Sequence, residues 1–250
     1  MKKVILFVVT TLLITTVSFA QDSLRPLVPV QPPVRKKEPI DLSTRANDHF
    51  LIQVGYTNWA GKPDSITTRG FSKSINVYFM FDFPFKSNPK LSMAFGPGIA
   101  SDNIQFSKTY VGIKENATTI QFTDQSDTNH FKRSKLVTTY LEAPVEFRFT
   151  ADPVNSGKSF KFAIGAKVGT MINAHTRNKS LETASGQTIN DYSMKESSKK
   201  FFNTTRLVGT ARVGMGHFSL YGSYQITTLF KEGFAADIRP YSIGLTLSGL

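Results

Sequence analysis

Seven charged residues fall at spacings that would set them on shared faces of extended chain: Glu142, Glu146 and Arg148 in one segment, Lys161 and Lys167 in the next, Arg206 and Arg212 in a third. Side chains an even number of residues apart along a strand point the same way. Two carboxylates so placed could do acid–base work. They could equally form one side of a charge network, because ions removed from water must be paired. The second chemistry is the one expected here, an interior network with no catalytic, cofactor-binding or metal-binding role. The histidines, His49, His130, His175 and His217, are scattered. None stands at metal-ligand spacing, and the chain contains no cysteine for a thiolate, a disulfide or a cysteine-based zinc site. His175, with Thr176 or Ser180 beside it, is the one place where lipid-editing catalysis could be sought.

The elements that must carry these charges are strands. From His49 onward, period-two alternation dominates and no helical stretch interrupts it. Phe50, Ile52, Val54 and Tyr56 alternate with Leu51, Gln53, Gly55 and Thr57. Ile75, Val77, Phe79, Phe81 and Phe83 oppose Asn76, Tyr78, Met80 and Asp82. Further runs are read over 91–96, 137–149, 160–169, 206–214, 218–226 and 241–248, which makes eight. In each run one face carries large apolar residues, and the other carries Gly, Ser, Thr and the charges. Connections alternate in length. Those at 84–89, 152–158 and Gly216 are short; those at 60–72, about 106–134, about 174–200 and 228–238 are long.

An even number of alternating strands joined by short and long connections in turn predicts an all-β fold: an eight-stranded antiparallel transmembrane β-barrel with short periplasmic turns and long external loops. An eight-stranded interior is just wide enough for side chains, which suits the small-residue face inside and the large apolar face against lipid. A soluble, lipocalin-like barrel would alternate too, with its apolar face inward. Pro97 and Pro144 fall inside this pattern although a closed sheet has no edge to receive them. The expectation is that Pro97 marks a strand exit and Pro144 a β-bulge.

Residues 1–20, MKKVILFVVTTLLITTVSFA, have a basic start, a short apolar stretch and a small-residue end, the pattern of a secretory signal peptide. Residues 21–47 form a proline-rich basic arm, with Pro26, Pro29, Pro32, Pro33 and Pro39 around Arg35, Lys36 and Lys37. Such a segment favours extended backbone and is expected to emerge in the periplasm, where residues 22–47 offer a contact for a partner. The barrel is assigned residues 48–250. The whole sequence carries 30 Lys+Arg against 18 Asp+Glu, a net charge of +12. In an exported protein that excess points away from nucleic acid and toward anionic head groups, glycans or an acidic partner.

The segment Tyr140-Leu141-Glu142-Ala143-Pro144-Val145-Glu146-Phe147 resembles the aromatic-Leu-Glu-Ile-Pro-Leu strand of the PorT-like outer-membrane β-barrel family of bacteria that use type IX secretion. Phe162 to Gly169 and Pro240 to Leu245 fit the same family, and the resemblance covers about residues 48–250. Ala143 stands where the family has a larger aliphatic residue. The resemblance implies a barrel in the bacterial outer membrane, in contact with outer-membrane lipid. The expected role is structural or interaction-type and non-enzymatic, without cofactor, as a monomeric barrel associated with secretion or cell-envelope machinery. The alternatives are a lipid-modifying enzyme on the same barrel and a soluble periplasmic lipid carrier.

Overall fold

The computed structural model describes residues 49–249. The segments read as signal peptide and proline arm lie outside the described residues. Among the described residues thirteen strands follow one another. They are β1 (Phe50–Ala60), β2 (Lys73–Phe79), β3 (Phe81–Phe85), β4 (Asn88–Phe95), β5 (Gly98–Phe106), β6 (Thr109–Gly112), β7 (Gln121–Asp124), β8 (His130–Thr150), β9 (Phe160–Glu182), β10 (Thr188–Ser197), β11 (Thr205–Met215), β12 (Phe218–Gln225) and β13 (Arg239–Ser248).

Eight of them close a ring in the order β1, β2, β5, β8, β9, β11, β12, β13 and back to β1, antiparallel throughout. In hydrocarbon every backbone donor needs a partner within the protein, and closure supplies one without leaving an edge. β3 and β4 continue β2 and β5 toward the short-turn end, past breaks at Met80 and at Gly96–Pro97. There β4 takes over the lower part of β8, from Val145 to Phe149. The short turns lie at the periplasmic end. Two-residue turns join β3 to β4 and β11 to β12, and in the second Gly216 adopts φ +59°. A Cβ on Gly216 would stand 2.3 Å from the Gly157 carbonyl oxygen.

The faces are as the alternation predicts. Val54, Ile75, Phe83, Phe95, Leu141, Phe147, Phe162, Ile164, Leu220 and Ile243 all stand exposed on the outside of the ring, whereas Gln53, Ser74, Asn76, Thr138, Thr210 and Thr246 are buried inside it. This distribution is that of a lipid-facing wall around a polar filling, the reverse of a lipocalin-like carrier.

Three expectations need correction. Pro144 makes no bulge: it stays in register opposite Lys167, and the β8–β9 ladder shifts instead between Thr139 and Tyr140, where Ile172 is the extra residue. Pro97 is no strand exit but lies in the wall. The β4–β8 ladder ends at Phe95–Val145 and the β5–β8 ladder begins at Gly98–Glu142, so Gly96, Pro97, Ala143 and Pro144 share one gap. Both prolines therefore fall where the ladder is already interrupted, and the lost donors cost little. The long connections are also not plain loops. β8 and β9 run on far above the apolar band, β10 pairs with the extension of β9, and β6 and β7 form a separate two-stranded sheet.

The external connections fold inward as well. Ile66, Val111, Ile113, Ile120, Phe201, Phe202, Leu229 and Phe230 join Trp59, Phe106, Leu136 and Tyr140 in one buried apolar cluster. The Trp59 ring meets Phe106, Phe122 and Phe230 edge-on, with centroids 5.4, 6.2 and 6.0 Å away. All four long connections contribute to this cap, which sits over the external end of the polar lumen.

Candidate functional site

The seven charged residues singled out in the sequence are all buried inside the ring. They form two groups. In the upper one, Glu142 Oε1 accepts from Arg206 Nε at 2.6 Å and Glu142 Oε2 accepts from the Tyr78 hydroxyl at 2.5 Å. Arg206 also donates to Asp102 Oδ2 at 2.8 Å and lies 3.7 Å above the Tyr140 ring. The lower group has Glu146 Oε2 accepting from Arg148 Nε at 2.9 Å and Arg212 Nη2 at 3.0 Å, with Asp82 3.6 Å from Arg148 Nη1. Lys161 lines a small cavity beside Arg148 and Arg212.

Register explains the upper group. Tyr78, Gly98, Glu142, Gly169 and Arg206 stand side by side on β2, β5, β8, β9 and β11. Glu142 thus has a glycine on either side. Tyr78 reaches it over Gly98 and Arg206 reaches it over Gly169, because no side chain stands between. A Cβ on Gly98 would come within 2.1 Å of the Tyr78 ring, and one on Gly169 within 2.9 Å of Glu142 Cγ.

Arg206 and Tyr78 hold Glu142, and Arg148 and Arg212 hold Glu146. Lys167 instead crosses to the opposite wall and donates to Gln53 Oε1 at 3.1 Å and to the Tyr78 hydroxyl at 3.0 Å. Asp82, Asp102, Tyr78 and Gln53 complete the network. Asp82, Tyr78 and Gln53 were already on the polar face of the alternation. Asp102 lies beyond the alternating run 91–96, on β5, where the chain resumes at Gly98. Beside these residues lie cavities of about 20 and 10 Å³, each too small for an aqueous path.

A second site lies outside the ring, above the apolar band. The outward residues of β9 are apolar from Phe160 to Val168, then come Thr170 and Ile172, and above them Asn173, His175, Arg177 and Lys179; on β5 they change from Ile99 to Ser101, Asn103 and Gln105. At this level Lys135 on β8 stands opposite Arg177 on β9, and Arg177 stands opposite Lys195 on β10. One step further out, Arg133 stands opposite Lys179. Like charges directly opposite one another in a ladder are destabilising. Three such pairings in two stacked rows on one face therefore work against the fold unless an anion sits on them.

The groove at this tier has a volume of about 590 Å³, and Arg69, Lys132, Arg133, Lys135, Arg177 and Lys179 supply six of its nine lining residues, with no acidic side chain among them. Its internal contacts are mostly neutral. Lys135 Nζ donates to Asn103 Oδ1 at 3.3 Å, Arg177 Nε to Ser193 Oγ at 3.3 Å, and Arg69 Nη1 to the Lys132 carbonyl at 2.9 Å. Lys132 pairs with Glu182 at 3.0 Å, whereas Arg133, Lys179 and Lys195 form no ion pair among the described residues. Partial burial and the neighbouring Arg177 hold the Lys135 ammonium below the ordinary lysine range. Burial, then Lys195, Lys135 and Arg177, hold the His175 imidazole below its ordinary value. The alternation places the segments that build this tier in the long connections. The signal was present as period-two basic residues, Arg133 and Lys135, then Arg177 and Lys179.

The structure does not assemble the catalytic group sought around His175. Thr176 is buried on the opposite face, the Ser180 hydroxyl donates to Asp191 at 2.5 Å, and His175 Nδ1 lies 3.1 Å from Asn173 Nδ2. Among the described residues no cluster of His, Asp and Glu could hold a metal ion.

A closed ring with lipid outside, a paired polar filling and long connections at one end defines a bacterial outer-membrane β-barrel protein. The chain belongs to the outer membrane protein beta-barrel domain family, whose model matches residues 19–228. No curated protein matches it. Among solved structures it is similar to two of Ail, the attachment invasion locus protein of Yersinia pestis. One, in complex with the heparin analogue sucrose octasulfate, is 13% identical with a TM-score of 0.29, covering 80% of this chain and 96% of that one. The other is 15% identical with a TM-score of 0.30, covering 80% and 95%.

Proposed function

We propose that the protein is a non-enzymatic, interaction-type barrel whose external basic tier binds anionic groups at the cell surface while its lumen stays closed. The observation that carries this is the row Lys135–Arg177–Lys195, three cations abreast on adjacent strands. An anion bridging them turns a mutual repulsion into charge-assisted hydrogen bonds, and Arg177 offers a planar fork for a phosphate or sulfate. The filled lumen and the apolar cap support a role without transport. The PorT-like character of the Tyr140–Phe147 strand supports placing the chain in that branch of the family, with an association with secretion or cell-envelope machinery. On the same reading the barrel is a monomer, and residues 22–47 reach a periplasmic partner.

Titration of the purified barrel with inorganic polyphosphate tests the tier. Binding should weaken as salt rises, and R177M/K195M should lower affinity about tenfold or more, the loss of two charge-assisted contacts. Equal binding by wild type and variant would sink the proposal. Lipid A from cells expressing the protein, compared by mass with lipid A from cells lacking it, should be unchanged. A modified species that disappears with His175→Ala would make the protein an enzyme.

A further inference from the structure

Directly below the tier, on the same wall, the lipid-facing surface has a dent. It has a volume of about 670 Å³, and its lining is chiefly apolar: Phe81, Phe95, Pro97, Leu141, Ala143 and Val168, with Thr170 at its margin. Its cause is the ladder gap. Around it the wall is built of Phe, Leu, Ile and Val, whereas in the gap the outward residue of β8 is Ala143, which offers only a methyl group. Ala143 is also the position at which the chain departs from the larger aliphatic residue of PorT-like strands.

Tier and dent share β8 and β9. From Lys135 to Leu141 is six residues, about 20 Å along the strand and less in height because barrel strands tilt. That span runs from the head-group level into the upper hydrocarbon. An amphiphile with anionic groups at one end and an acyl chain at the other would satisfy both features at once. A soluble polyanion would use only the first. The protein lies in the outer membrane, whose external leaflet is built from phosphorylated glycolipid, and the tier lies at the external end.

We propose that the β8–β9 wall is a binding site for one phosphorylated glycolipid of the lipid A class, with its phosphates on Lys135, Arg177, Lys195 and Lys179 and one acyl chain in the dent at Ala143. This rests on the tier as an anion site and adds the source of the anion. The basic side chains are long enough to bend toward the phosphates while their stems cover the chain below. Thr170, Thr205 and the backbone around the gap supply the polar margin of an otherwise apolar dent, so the chain is held by shape and apolar contact.

The test uses the full-length barrel, folded in phosphatidylcholine nanodiscs doped with either bisphosphorylated or dephosphorylated lipid A, with retained lipid read by native mass spectrometry. Heat-modified gel mobility first confirms that each variant is folded. Wild type should retain one bisphosphorylated lipid A, and the dephosphorylated form should be retained about tenfold less. Ala143→Leu fills the dent without disturbing the tier. It should lower lipid A retention severalfold and leave polyphosphate affinity unchanged, and Thr170→Leu, from the other margin, should do the same. If both variants retain lipid A as wild type does while polyphosphate still binds, the lipid proposal falls and the tier stands as a site for soluble polyanions. If wild type binds neither lipid A nor polyphosphate, both fall together.

Discussion

Lys135 and Arg177 stand directly opposite one another in the β8–β9 ladder, on the outer face of the barrel above its apolar band. Neither has a carboxylate partner among the described residues, and Lys195 continues the row on the far side of Arg177. A pairing that opposes folding and faces the cell surface is a mark of function, since stability given up at one place usually serves a ligand there.

The first prediction is a trade-off at Lys135. Its lowered pKa means that the folded state binds fewer protons than the unfolded chain as pH passes through the lysine range. Stability therefore rises with pH through the folded value and toward the ordinary ~10.4, and it is diminished at neutral pH. Lys135→Met should raise the urea midpoint of the ligand-free barrel at pH 7, with the gain shrinking as pH nears ~10.4. The same variant should bind polyphosphate more weakly. A lower midpoint at pH 7 would mean that the lysine is compensated in the ligand-free state.

The second prediction concerns Glu142 and Arg206, which meet across Gly169. Removing one partner of a buried ion pair costs about 3–5 kcal/mol, so Glu142→Gln should destabilise folding into bilayers by that order. Adding Arg206→Met to Glu142→Gln should recover part of the loss, because the uncompensated cation goes too. Lys167→Met should rescue less, since Lys167 touches Tyr78 and Gln53 and not Glu142. Equal rescue by the two second-site changes would contradict the row.

Glycine rows give a third test. Gly98→Ala puts a methyl group where the Tyr78 ring lies, and Gly169→Ala puts one against Glu142. Both should destabilise the barrel, typically by about 1–3 kcal/mol for overpacking of this kind. Gly222→Ala, at a site with nothing within 4 Å of the added carbon, should fold with little change. Chemical denaturation in lipid vesicles compares the three.

A fourth prediction distinguishes the faces. Phe147 is exposed on the lipid side at the level of Glu146, so Phe147→Arg should cost roughly 2–4 kcal/mol if it lies near the bilayer midplane. Folding yield in bilayers measures it, and wild-type stability would invert the face assignment.

The fifth concerns transport. In planar bilayers the barrel should carry no sustained porin-like current, because paired side chains fill the lumen and the apolar cap covers its external end. Trp59→Ala should loosen the cap by about 3–5 kcal/mol, as for a large buried aromatic, and still leave the charge network blocking the bore. A steady current in wild type would show that the lumen is wet.

Much of this was legible in the chain itself. Period-two alternation depends only on strand geometry, so Phe79, Val145 and Ile164 on one face and Asp82, Glu146 and Lys167 on the other follow from residue order alone. The strand count and the alternation of short and long connections come from the same source. Contacts between strands were a different matter, because they depend on register. Glu142 meets Arg206 because Gly169 falls between them in the ring, and nothing in the local sequence of β8 or β11 says so. The two prolines lose their cost only because Gly96, Pro97, Ala143 and Pro144 fall into one ladder gap. The basic tier required β8 and β9 to run on past the membrane and β10 to pair beside them, in segments whose polarity alone reads as loop. Sequence order fixes which way a side chain points; only the closed sheet decides what it finds there.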